Sequence, residues 1–260
     1  MTNLSAFHSE LLSTYPKVKH AFFSRQGGAS TGLLLSLNFS LSKGDTIESI
    51  QENRSKVAAY YGDPSRLPLY AKQVHGCDVL VVEKPFDFSA LPEVDGLITK
   101  TPNLVIGVQT ADCIPLILFE PQHRIAGAIH VGWKGAHLNI IHEAVAKMVA
   151  IGAQRKNIIA SIGPCIHQES YEVDKNFFDK FTEKNKAADI FFEKSKNPSH
   201  FLFDLPGFAK MQLNQEGITL LDQVPINTYT SPELFYSCRR AFHKGETTYG
   251  CTLATIMIES

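Results

Sequence analysis

The chain has 260 residues, 44% apolar and 20% charged, which is enough to bury a substantial core, and 25 Lys and Arg against 26 Asp and Glu leave a formal charge of −1. With no long basic run, a general electrostatic nucleic-acid surface is excluded and the expected partner is a small molecule. No stretch approaches the ~18 to 20 uninterrupted apolar residues of a membrane span, and the opening MTNLSAFHSELLSTYPKVKH lacks the order of a signal peptide, so a cytoplasmic protein without membrane contact is expected.

Short β-branched or aromatic runs bounded by turns predict buried strands at VKHAFFSR (18–25), DVLVVE (78–83), NLVIGVQT (103–110), IPLILFE (114–120), RIAGAIHV (124–131) and NIIASIG (157–163). A helix is expected over 46–61. Another should follow GWKG through AHLNIIHEAVAKMVAIG, where Leu138, Ile141, Val145 and Met148 recur at helical steps and Gly152 fits a stop. Further helices are expected over 174–186 and, with Asp204 as N-cap and Pro206 in the first turn, up to Gly217. Consecutive strands over 103–131 beside helix-separated ones predict a mixed sheet, hence an α+β fold, a mixed-sheet α/β sandwich. Without linkers or repeats, a single domain over 1–260 is the expectation.

The five cysteines, Cys77, Cys113, Cys165, Cys238 and Cys251, are odd in number and show no paired spacing, which argues against a disulfide framework. Polar residues of interest sit where apolar strands end. His75 lies in QVHG, Asp112 and Cys113 in TADC, and His130 in HVGWKG. Two imidazoles and a thiolate would make a three-ligand zinc site with a fourth position open, the catalytic rather than the structural arrangement. Spacing alone leaves the competing readings open: a packed thiol with hydrogen-bonded histidines, or Cys113 as a nucleophile with a histidine base. His142-Glu143 is not a zincin motif because position 146 is Ala, and Pro164-Cys165 lacks the second cysteine of a deaminase site. Cys165 in SIGPCI is a second nucleophile or pocket-lining candidate, with an inert packed thiol as the alternative. Arg25, Lys134, Arg239 and Arg240 fall at turns where they could clamp a phosphate, and Asn38 and Tyr171 could touch a substrate or serve a turn.

Taken in order, SRQGGAS, SLNFS, KQVHG, DGLIT, QTADCIPLILFE, IHVGWKG, IGPCI, YEV and FYSCRR resemble the YfiH/laccase-domain family, once labelled multicopper polyphenol oxidases, from about residue 18 to the C-terminus. The resemblance implies that His75, Cys113 and His130 bind one zinc per chain. It also implies purine nucleoside phosphorolysis to a free base and ribose 1-phosphate, with methylthioadenosine phosphorolysis and adenosine deamination as shared activities. On this reading Arg25, Asn38, Lys134, Cys165, Arg239 and Arg240 meet nucleoside and phosphate, Asp112 handles a proton or orients a neighbour, and the zinc polarises or activates the nucleophile.

The chain departs from the family pattern in three places. Lys134 stands in GWKG where GWRG is usual, Ser42 replaces a familiar histidine, and AFHKGETTYGC follows the double arginine in place of DGxTGR, which puts His243 and Cys251 at unusual positions. Two alternatives carry different chemistry. One is a cysteine-dependent amidase editing peptidoglycan precursors, and the other a copper-dependent polyphenol oxidase, to which the lack of HxH pairs is ill suited.

Overall fold

Residues 114–120 are apolar at almost every position because both faces of the strand they form are covered: Leu116 and Leu118 enter one core, Ile117 and Phe119 the other. The computed structural model describes residues 4–184 and 186–260. The chain begins with β1 (Ala6–Phe7), α1 (Glu10–Ser13), β2 (Val18–Phe23) and α2 (Ile47–Tyr60). It continues through β3 (Val79–Val81), β4 (Gly96–Thr99), β5 (Ile106–Thr110), β6 (Ile114–Glu120), β7 (Ile125–Val131), α3 (Trp133–His137) and α4 (Ile140–Ala150). Then come β8 (Ile159–Ile162), β9 (Glu172–Asp174), α5 (Lys175–Lys184), β10 (Phe192–Lys194), β11 (His200–Phe203), α6 (Leu205–Gln215), β12 (Leu220–Gln223), α7 (Cys238–Lys244) and β13 (Thr252–Ile258).

A six-stranded sheet has the order β12-β8-β6-β7-β4-β3 and a four-stranded sheet the order β1-β2-β13-β5. The larger sheet is mixed, as the strand spacing predicts: β12 with β8 and β3 with β4 run parallel, the other pairs antiparallel. Because side chains alternate along each strand, the two sheets share one core, in which Phe22, Ile106, Ile117, Ala128 and Ile256 meet. The far face of the large sheet is covered by α4 and α6 through Ile141, Val145, Ala209 and Leu213. The far face of the small one is covered by α2 through Val57. A third sheet, β10-β11-β9, packs with α5 around Phe177, Phe181, Phe192 and Phe203. None of the helices among the described residues is long and apolar enough to cross a membrane, and all five cysteines are free thiols.

The helix expected after GWKG is two helices. Trp133 to His137 already turn helical, and Asn139 breaks the run with a φ of 65°, a left-handed conformation that Asn tolerates. The Gln212 side chain holds the break, donating to the Ala136 carbonyl at 2.8 Å and to Asn139 Oδ1 at 3.1 Å. Leu138 therefore leaves the apolar stripe and is 49% exposed. The helix expected over 174–186 is α5, and residue 185 lies outside the described residues. Asp204 caps α6 as expected, Oδ1 accepting from the Gly207 N–H at 2.8 Å.

The buried His20 on β2 accepts a hydrogen bond at Nε2 from the Ser9 N–H at 2.8 Å. Burial, followed by the neighbouring His8, pushes its pKa down to about 4 from 6.5. A base whose folded pKa lies below its unfolded value is neutral in both states above pH 6.5, and its contribution is lost as pH falls from 6.5 toward 4, about 3 kcal/mol in all. Urea unfolding at pH 7 and pH 4.5 should show this loss in the native chain and a flatter profile in His20→Gln; parallel profiles would contradict it.

Candidate metal centre

Three segments converge at one end of the large sheet. Cys113 is placed by the tight turn between β5 and β6, where Asp112 takes a φ of 86°, and His130 closes β7. His75 sits in the loop before β3 with a φ of 61°. That loop is gathered around Asp95, whose carboxylate accepts from the N–H groups of Val74, His75 and Gly76 at 3.2, 2.9 and 2.7 Å. Asp95 precedes β4, and the antiparallel register of β4 with β7 sets Gly96 against Ile129. This brings the Asp95 carboxylate to His130 Nδ1 at 2.8 Å, in a contact buried on both sides. With Nδ1 so engaged, Nε2 of His130 is the nitrogen left for a ligand.

The donor atoms of His75, Cys113 and His130 all lie within 4.8 Å of one another. The two rings stand edge to face, with centroids 4.8 Å apart at 89°. Gly132 closes the cradle: a Cβ there would come within 3.1 Å of Cys113 Sγ and 3.2 Å of the His75 ring. Burial, then the His130 ring, lowers the His75 pKa and so favours the neutral imidazole that binds a metal. Burial raises the Cys113 thiol, as do Asp112, Cys238, Cys251 and Asp95 around it, so a thiolate here calls for a cation in direct contact. Burial also opposes ionisation of Asp95, yet the His130 hydrogen bond and charge and the loop N–H groups outweigh it and hold that carboxyl below its ordinary value. Two imidazoles, a thiol and a carboxylate behind one imidazole fit a divalent metal.

Two cavities flank this cluster, of about 470 and 720 Å³, and His75, Ala111, Cys113 and Tyr249 form the wall they share. Arg239, Asp112, Trp133, Tyr171 and Phe242 face the larger one. Arg239 lies in the first turn of α7, its guanidinium over the Tyr171 ring at 5.2 Å, with a hydrogen bond to the Glu172 carbonyl at 2.5 Å. Asp112 is buried and accepts from the Thr228 and Ser237 hydroxyls at 2.7 and 2.9 Å and from the Arg239 N–H at 2.7 Å. Burial raises its pKa against these bonds. Asp112 therefore anchors α7 beneath Arg239, while the carboxylate on the histidine is that of Asp95.

Ser42 and Cys251 line the smaller cavity and Cys238 and His243 the larger, whereas Arg25, Arg240, Asn38, Cys165 and Lys134 line neither. Arg25 lies on the Tyr236 ring at 4.2 Å and donates to the Leu35 and Pro232 carbonyls. Arg240 spends its guanidinium on the Thr228, Tyr229 and Phe235 carbonyls. Asn38 is fully buried, bonded to Ser40, Asp45 and the Cys251 N–H. Cys165 is fully buried in the core under α6. Lys134 is exposed on α3, 5.6 Å from the Trp133 ring. Sequence reasoning missed Asp95, Tyr70, Tyr249 and Phe242. Of these only Asp95 carried a signal, as the acid opening DGLIT. Asp95→Asn is expected to weaken divalent-metal binding by this cluster ten- to a hundredfold, roughly, in a chelator competition titration; unchanged affinity would mean that Asp95 serves only the loop.

The profile of the family described as multi-copper polyphenol oxidoreductase laccase matches residues 19–259. A purine nucleoside phosphorylase of Rickettsia conorii is 39% identical over 197 residues, covering 76% of this chain and 80% of that protein. One of Rickettsia prowazekii is 34% identical over 229 residues, covering 88% and 91%. Among solved structures, YfiH of Bacillus licheniformis superposes with a TM-score of 0.85 at 27% identity, covering 93% of each chain.

Proposed function

The chain belongs to the multi-copper polyphenol oxidoreductase laccase family, and from that premise we propose that it catalyses phosphorolysis of purine nucleosides. Inosine, adenosine or guanosine and phosphate would yield the free base and ribose 1-phosphate. The observation that carries this reading is the His75, Cys113, His130 cluster set beside two cavities that meet at a common wall, one for each substrate of a two-substrate transfer. The names of the two Rickettsia relatives support it.

Zinc is the metal we assign to His75, Cys113 and His130, where it would supply Lewis acidity when bound. Asp95 holds the His130 ring in one tautomer. Arg239 offers the charged, planar donor for phosphate, and Asp112 fixes it by anchoring the first turn of α7. Trp133, Tyr171 and Phe242 give the larger cavity an apolar lining beside Arg239. Methylthioadenosine phosphorolysis and adenosine deamination would share the same base and ribose contacts. A histidine pair with one thiolate also suits a single copper, so elemental analysis separates the metals. Cys113 as the nucleophile of an amidase is disfavoured by the burial and carboxylates that raise its thiol. We also propose that the chain works as one domain, since one core holds residues from Leu12 to Ile258, and in the cytoplasm, where five free thiols persist.

The test is hypoxanthine release from inosine by the zinc-loaded protein. Release that requires phosphate is expected, with one zinc per chain. Equal release in phosphate-free buffer would overturn phosphorolysis, and stoichiometric copper would overturn the metal assignment.

A further inference from the structure

We infer that the smaller cavity is the purine pocket and that Tyr70 is the residue that reads the base, an inference that rests on the phosphorolysis reading. The cavity's volume, about 470 Å³, is in the range of small-molecule sites. Its inner wall is aromatic and rigid. Phe39 is fully buried, Tyr70 is 1% exposed, and Tyr70 stands edge to face with Phe39 and Phe88 at 6.3 and 5.4 Å. Phe88 is backed by the Arg54 guanidinium, 4.0 Å from its ring centroid. Gln73 and Gln109 lace the opposite side: Gln73 Nε2 donates to the Gln109 carbonyl at 2.8 Å and Gln109 Nε2 to the Phe39 carbonyl at 2.9 Å. Phe88 and Tyr249, partly exposed on this cavity, are the rings with surface free to meet a flat heterocycle, and Phe39 and Tyr70 support them from behind.

Within this wall the Tyr70 hydroxyl is buried and finds no hydrogen-bond partner in the protein. A buried hydroxyl left so is costly, and a ligand acceptor would satisfy it. Burial pushes the phenol up, so it stays protonated and is a donor at neutral pH, matching an acceptor such as N7 or O6 of a purine. Of the cations on this cavity, Lys72 pairs with Glu93 at 2.7 Å and Lys43 lies 4.2 Å over the Tyr249 ring. Arg239 on the larger cavity also lies over a ring, that of Tyr171, and makes no ion pair among the described residues; its planar fork matches an oxyanion as a lysine does not, which favours that side for the anion.

Calorimetric titration of hypoxanthine into the zinc-loaded chain tests this, with Tyr70→Phe removing the hydroxyl and Leu91→Trp filling the slot from its wall. Hypoxanthine should bind the native chain, about three- to tenfold more weakly to Tyr70→Phe, and not at all to Leu91→Trp. The KM for inosine should rise with the dissociation constant while the KM for phosphate stays unchanged, and Tyr70→Phe should melt no lower than the native chain. No binding by the native chain, equal binding by both variants, or a rise in the phosphate KM alone would overturn the purine pocket. Tyr70-dependent hypoxanthine binding without any base release from inosine would uphold the pocket and overturn phosphorolysis instead.

Discussion

Replacing Cys113 with alanine should empty the metal centre and abolish turnover, lowering kcat/KM for inosine at saturating phosphate by on the order of a thousandfold or more. The thiol is the only sulfur donor in the cluster, and its removal leaves two imidazoles less than 5 Å apart with nothing to complete a tight site. The fold should survive, because Cys113 sits at the mouth of the β5–β6 turn, while β6 is held by β7 and β8 on either side. Zinc content by elemental analysis should fall far below one per chain while the far-ultraviolet circular dichroism is unchanged. Full zinc in Cys113→Ala, or full activity without it, would contradict the assignment.

Arg239→Ala is expected to lower kcat/KM for phosphate by roughly a hundred- to a thousandfold with zinc content intact, the scale of losing one preorganised charged donor. Its backbone N–H on Asp112 is independent of the side chain, so α7 keeps its anchor. Arg239→Lys should restore part of the loss, since charge returns without the planar fork. The same test on Arg240 gives a contrast: its guanidinium is tied to three backbone carbonyls, so Arg240→Ala should lower stability more than it changes the phosphate dependence. A steady phosphate KM in Arg239→Ala would remove Arg239 from the anion site.

The parts of this fold most legible in the sequence are those whose signal is local. The continuous apolar runs of β6 and β7 announce strands covered on both faces, and Asp204 with Pro206 announces the start of α6. Elements that depend on distant partners were less visible. β13 is one of the two inner strands of the four-stranded sheet, yet it gains that place only by pairing with β2 and β5 from far along the chain. The three-stranded sheet is built of short segments with charged residues among the phenylalanines, which blurs their period.

The same distinction runs through the site. His75, Cys113 and His130 end apolar runs and drew notice, but their spacing alone left ligand and packing readings open, and the resemblance to a family chose between them. Asp95 reaches His130 through the register of β4 on β7, which no local pattern encodes. Arg25, Arg239 and Arg240 look alike in the sequence, yet only Arg239 of the three lines a cavity; its guanidinium meets one carbonyl, whereas two hold that of Arg25 and three that of Arg240.

Phosphorolysis is tested by following the phosphate itself. Zinc-loaded protein is incubated with inosine and isotopically labelled phosphate, and the sugar product is identified by mass spectrometry. Phosphorolysis gives labelled ribose 1-phosphate in a one-to-one ratio with hypoxanthine. Unlabelled free ribose with hypoxanthine, or inosine left intact by fully metallated protein, would contradict it.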